Sequence, residues 1–182
     1  MLALTQDPVS SPKSSPILLA ILHEAKDGET RVAMTPDVVK QWVEKGVNVV
    51  VETGAGAMAS CTNESYKEAG ATIAKTAKEA TSKANILVAL QMPSAEVLDL
   101  LPEGALVISF VWGLAHPERI TEFTKRGLQA LSMDAIPRTS RAQTMDALSS
   151  MSNIAGYKSV LIAASTLDRY LPMMMTAAGT VP

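Results

Sequence analysis

Between residues 17 and 132 the chain alternates short apolar runs with longer amphipathic segments, and this alternation limits its possible folds more than any other feature. ILLAIL (17–22) is continuously apolar, as a strand covered on both faces must be. VNVVVE (47–52) is β-branched, and further strands are predicted at Ala71–Ile73, Asn85–Leu90, ALVISFV (105–111) and Leu128–Ser132. Helix signals fill the gaps. Thr35, Pro36 and Asp37 supply a capping hydroxyl, a first-turn proline and an acid. Val38, Val39, Trp42 and Val43 are expected to form the buried stripe of this helix, which Gly46 ends. Helices are also predicted near Asn63–Ala69, Thr76–Ser82, Ala95–Leu101 and Pro117–Arg126. A helix between successive strands allows parallel crossovers. The expected fold is therefore α/β: a Rossmann-like or flavodoxin-like, mostly parallel sheet with helices on both faces.

The pattern breaks near residue 140, and a long connecting helix is expected over 141–171. It is rich in small residues, including Ser149, Ser152, Gly156, Ser159 and Ala163, which let another helix approach closely. A mid-helix glycine such as Gly156 costs roughly 1 kcal/mol against alanine, so packing between domains or subunits is the expected reason for it. Residues 172–182 read as an apolar linker leading to something further, because three methionines and small residues make a poor solvated terminus. Residues 1–16 read as a loose, Pro- and Ser-containing leader without the basic start and apolar core of a secretory signal. Residues 17–140 are the expected α/β domain.

Composition removes several classes of function. The net charge of −2 gives no general attraction to nucleic acid or to an anionic bilayer. Apolar runs fall well short of the ~20 residues that span a membrane, so no direct insertion is expected. Cys61 is the single cysteine, which excludes an internal disulfide. His23 and His116 have no partners at ligand spacing, and both read as loop residues with no metal expected. No nucleophile elbow or Walker-type loop occurs. Gly54, Gly56 and Ala59 match a dinucleotide fingerprint in letters, but no long helix follows directly and the preceding strand is not the first. They read as a glycine-rich βα turn.

PRTSRAQTMDALSSMSNIAGY (137–157) concentrates polar residues. Ser140 and Gln143 have the spacing of a capping box, and Asp146 would complement a helix dipole. Arg138 and Arg141 sit badly near a helix N-terminus unless an anion meets them. Spacing alone leaves the structural and the functional reading level.

This segment, with GETRVAMTP (28–36), VVVETGAGAMAS (49–60), ISFVWGLAHPE (108–118) and MTAAGTVP (175–182), resembles the N-terminal part of the alpha subunit of proton-translocating nicotinamide nucleotide transhydrogenases. That family shares a superfamily with alanine dehydrogenases. The resemblance implies that the polar loop lies over the nicotinamide of NAD(H), with Arg138 and Asp146 orienting the carboxamide, Ser149 beside the ring and Gln143 reaching towards a second nucleotide. Hydride would pass directly from NADH to NADP⁺, held on another component, so that proximity and orientation carry the catalysis. It also implies a homodimer, NADP-binding and membrane partners, and a position on the cytoplasmic or matrix face of a membrane complex. The family continues beyond the equivalent of Val181 into a second Rossmann domain that cradles the NAD pyrophosphate, so this chain alone is expected to bind NAD weakly or not at all.

Two other readings stand beside it. Alanine dehydrogenases carry a lysine where this chain has Ala89, and the histidine that helps to hold pyruvate is replaced around Trp112. Arg31 remains, which leaves an alanine dehydrogenase-like fragment in second place. The third reading is a non-catalytic α/β module that dimerises through the small-residue helix.

Overall fold

A computed structural model describes residues 16–24 and 26–181. The expected leader falls almost wholly outside them. β1 (Leu18–Ile21), β2 (Asn48–Glu52), β3 (Thr72–Ala74), β4 (Ile86–Val88), β5 (Leu106–Ser109) and β6 (Gln129–Ser132) form one sheet in the order β3-β2-β1-β4-β5-β6. β1 pairs in parallel with both β2 and β4, and the β2–β3 and β4–β5 pairs are parallel too. This is the strand order of dinucleotide-binding folds rather than the flavodoxin order. The order reverses direction between β1 and β4, which opens a crevice at their carboxyl ends.

Strand alternation divides the core between the two faces of the sheet. Leu19 and Ile21 point to one face with Val49 and Val51, meeting Val39 of α1 (Pro36–Glu44) and Tyr66 of α2 (Asn63–Glu68). Ala20 and Leu22 point to the other with Leu87 and Val107. There they meet Ala80 of α3 (Ala77–Thr81), Leu98 of α4 (Ala95–Leu98) and Phe123 of α5 (Pro117–Lys125). Each large side chain buried in this way contributes roughly 1.5–3 kcal/mol. Tyr66 is fully buried and satisfies its hydroxyl by donating to the Met34 carbonyl at 2.7 Å.

Helix α1 departs from its predicted stripe. Val39 is buried and Val43 half-buried, whereas Val38 and Trp42 are exposed, Trp42 lying under the Lys45 ammonium at 5.5 Å. Thr35 occupies the N-cap position in extended conformation, but its side chain makes no capping bond. Pro36 enters the first turn without needing a partner for its nitrogen.

The chain divides into two compact units, one up to Leu131 and one from Ser132. In the second, the predicted helix over 141–171 is shorter: α6 runs from Ala147 to Thr166. Asp146, not Ser140, is its N-cap. None of its residues is buried, and apolar side chains emerge on all sides. The expected linker contains a hairpin, β7 (Met174–Thr176) paired antiparallel with β8 (Gly179–Val181). Gly179 takes φ of +127° there, a value that only glycine adopts readily.

Candidate functional site

The polar loop is built from consecutive tight turns. Thr139 N–H donates to the Pro137 carbonyl, Ala142 N–H to Thr139, and Met145 N–H to Ala142, at 2.9, 3.0 and 2.9 Å. A 3₁₀ turn over Gln143–Met145 delivers the chain to Asp146. One oxygen of Asp146 accepts the Ser149 N–H at 2.9 Å, and the other accepts the Ser149 hydroxyl at 2.6 Å. The Ser149 donors, with the Arg138 guanidinium nearby, hold the Asp146 carboxyl below its ordinary range. The capping box expected of Ser140 and Gln143 is not formed, because the turn that would carry it is not yet α-helical.

Arg138, Gln143, Asp146 and Ser149 line one cavity of about 300 Å³ together with Thr139 and Ser140. The four residues singled out in the sequence therefore converge. They offer a cationic donor, an amide, a hydroxyl and a carboxylate, and no base is set against a nucleophile. Such a lining suits hydrogen bonding to a planar group that is both donor and acceptor.

The glycine-rich turn has a different use. A Cβ on Gly56 would lie 2.7 Å from the Cys61 Cβ and 2.9 Å from a Tyr66 ring carbon, so the missing side chain makes room for the protein itself. Gly54 N–H is taken by the Asn63 side chain at 3.0 Å. A 3₁₀ turn over Ala57–Ala59 and a separate cap at Thr62 intervene before α2. No helix N-terminus directly follows the strand to receive a pyrophosphate.

The crevice at the switch point encloses about 370 Å³, with Leu22, Glu24, Leu87, Gln91, Val97 and Arg119 among its lining. Sequence reasoning missed its central residue. Glu24 is buried, and its two oxygens accept the backbone N–H groups of Leu90 at 2.6 Å and Gln91 at 3.1 Å. Burial raises its pKa above the ordinary carboxyl value, against the lowering effect of those two bonds. Gln91 Nε2 donates to Glu29 at 3.0 Å, and Glu29 is gripped by Arg31 through Nε and a terminal nitrogen, each at 2.7 Å. The Arg31 fork brings the Glu29 carboxyl down to about 2. Arg31, the candidate carboxylate anchor, is thus already engaged, and Ala89 lines the crevice where a lysine would be needed. His116 pairs with Glu118 at 3.2 Å, and the backbone nitrogen of His23 donates to Glu52.

The sheet order and the hydrogen-bonding loop that follows it define a Rossmann-like α/β protein. Residues 20–155 match the family described as alanine dehydrogenase/PNT, N-terminal domain, and the chain belongs to that family. It is 45% identical over 169 residues to the first of the chains that make up NAD(P) transhydrogenase subunit alpha in Rhodospirillum rubrum, covering 90% of this chain and 44% of that relative. A crystal structure of transhydrogenase from Sinorhizobium meliloti superposes with a TM-score of 0.84 at 40% identity, covering 91% of this chain and 49% of that one. An L-alanine dehydrogenase structure is more distant, with a TM-score of 0.64, 27% identity, and coverage of 69% and 34%. The chain spans less than half the length of the curated transhydrogenase relative. Among the described residues no helix is long and apolar enough to cross a membrane.

Proposed function

We propose that this chain contributes the nicotinamide-contacting loop of a transhydrogenase alpha subunit, in which hydride passes directly between NADH and NADP⁺ and is coupled to proton translocation in the full complex. The observation that carries this reading is the convergence of Arg138, Gln143, Asp146 and Ser149 on one cavity. The donor set fits a carboxamide, which has one carbonyl acceptor and two N–H donors. Arg138 donates to the carbonyl. Asp146 retains lone pairs beyond the two that Ser149 uses, and the Ser149 oxygen, whose proton points to Asp146, accepts. Gln143 reaches towards the second nucleotide.

When bound, NAD(H) supplies the hydride donor or acceptor carbon. The loop fixes the plane of the ring and needs no general base, because the transfer moves no proton to a side chain. NADP(H) is held by another subunit or domain. The domain that cradles the NAD pyrophosphate belongs to the additional length of the relatives, and α6 connects to it. The complete enzyme is a homodimer with NADP-binding and membrane components, peripheral to the membrane on the cytoplasmic or matrix face. The isolated chain is inactive.

The test is hydride transfer by a complete enzyme whose alpha subunit carries this segment, with Arg138→Ala or Gln143→Ala. Either change should lower kcat by ~10²-fold or more, as expected for groups that act through orientation. Transfer at the parental rate in both variants would remove the loop from the site.

A further inference from the structure

We propose that Glu24 is an ionisable clasp that sets the opening of the switch-point crevice, closing it as a carboxylate and releasing residues 90–91 as an acid. The geometry is specific to an ionised group. Glu24 follows β1, and its carboxylate reaches across the crevice mouth to two consecutive N–H groups at the exit of β4, one on each oxygen. A carboxylate accepts at both oxygens, whereas the acid turns one oxygen into a donor facing an N–H. The clasp therefore cannot keep both bonds once protonated.

The surrounding charges are few and mostly committed. Glu29 and Arg31, on the loop after Glu24, grip each other, and they act on Glu24 through space in opposite senses. Gln91 donates to Glu29 as well as to Glu24. The carboxylate of Glu52 on β2 accepts from the His23 backbone. Lys26 and Arg119 line the same crevice, and Arg119 donates to the Val111 carbonyl at 2.9 Å. Two backbone donors on one short segment are what a buried carboxylate here is fitted to, and a carboxyl so placed stays within reach of titration. Release of Leu90 and Gln91 would also move Gln91 away from Glu29, widening the crevice on the side of the 24–31 loop.

The experiment is a pH titration of the full chain by NMR, following the Glu24 side-chain carboxyl carbon and the amide protons of Leu90 and Gln91, with hydrogen exchange at the same sites. All three signals should share one midpoint above the ordinary carboxyl range. Protection of the two amides should fall ~10-fold or more below that midpoint, as the loss of a charge-assisted hydrogen bond implies. Both responses should vanish in Glu24→Gln. If that variant does not fold, the wild-type titration decides alone. Amides that do not follow the Glu24 carbon would overturn the clasp, as would a midpoint near 2, where Glu29 titrates. Loss of protection at Leu87 and Val107 over the same range would do so too, since that is global unfolding.

Discussion

Asp146 shows how a single residue serves both the fold and the candidate site. It caps α6 through the Ser149 N–H while lining the cavity with Arg138 and Gln143. Asp146→Ala should lower stability by ~1 kcal/mol, the usual loss for an N-cap, as measured by urea denaturation. An unchanged midpoint would mean that α6 does not depend on its cap. Gly56→Ala should destabilise the chain by ~1–3 kcal/mol, because the new Cβ would meet the Cys61 carbonyl oxygen at 2.8 Å as well as the Tyr66 ring. Loss of nucleotide affinity in the complete enzyme at full stability would instead restore the phosphate-cradling role. The polar site residues were legible because their types and spacing are unusual. Their true cap was hidden, since Ser140 and Gln143 imitate a capping box ahead of the Asp146–Ser149 pair that forms. Glu24 gave no local signal, because its partners lie 66 and 67 residues away.

At the scale of elements, the β-branched and continuously apolar runs marked all six strands of the sheet to within a few residues, because burial on both faces tolerates little else. The β7–β8 hairpin escaped notice. Its turn, Ala177 and Ala178, lacks the usual asparagine–glycine signature, and Thr176 supports it instead by accepting from Ala178 N–H at 3.2 Å. In α6, the position of Gly156 is open, with nothing within 4 Å of an added Cβ. Gly156→Ala should therefore stabilise the helix in this chain by up to about 1 kcal/mol, read as greater ellipticity at 222 nm during thermal melting. A lower melting temperature would reveal a close contact at that glycine. The 24–31 loop carries a pH dependence of its own. The Glu29 pKa is depressed from 4.5 to about 2 in the folded state. Its contribution is thus fully present above about pH 4.5 and is lost as pH falls towards 2. Glu29→Gln should remove that portion of the acid slope, and an unaltered slope would show that the Arg31–Glu29 grip adds nothing to stability.

Over the whole molecule, the apolar surface is divided unequally between the two units. The first buries its hydrophobic residues on both faces of the sheet, whereas Ala142 is the only buried residue among the described residues from Ser132 onward. In α6, Ile154, Tyr157 and Leu161 are 66%, 69% and 46% exposed, and Lys158 is the only charged residue of its twenty. A helix that is apolar all round is normally a buried one. The sequence showed this apolarity and the small-residue content, but nothing in a helical pattern states what will lie against it. The isolated chain should consequently bind a hydrophobic dye and associate as its concentration rises, with sedimentation giving a weight-average mass that grows without settling at a dimer. Ile154→Gln combined with Leu161→Gln should suppress both effects while leaving the unfolding of the sheet unchanged, since neither side chain belongs to either core cluster. A discrete dimer that persists in the double variant would place self-association elsewhere on the molecule. A discrete dimer abolished by it would instead favour a dimerising module over a segment whose helix is covered by the rest of a larger enzyme.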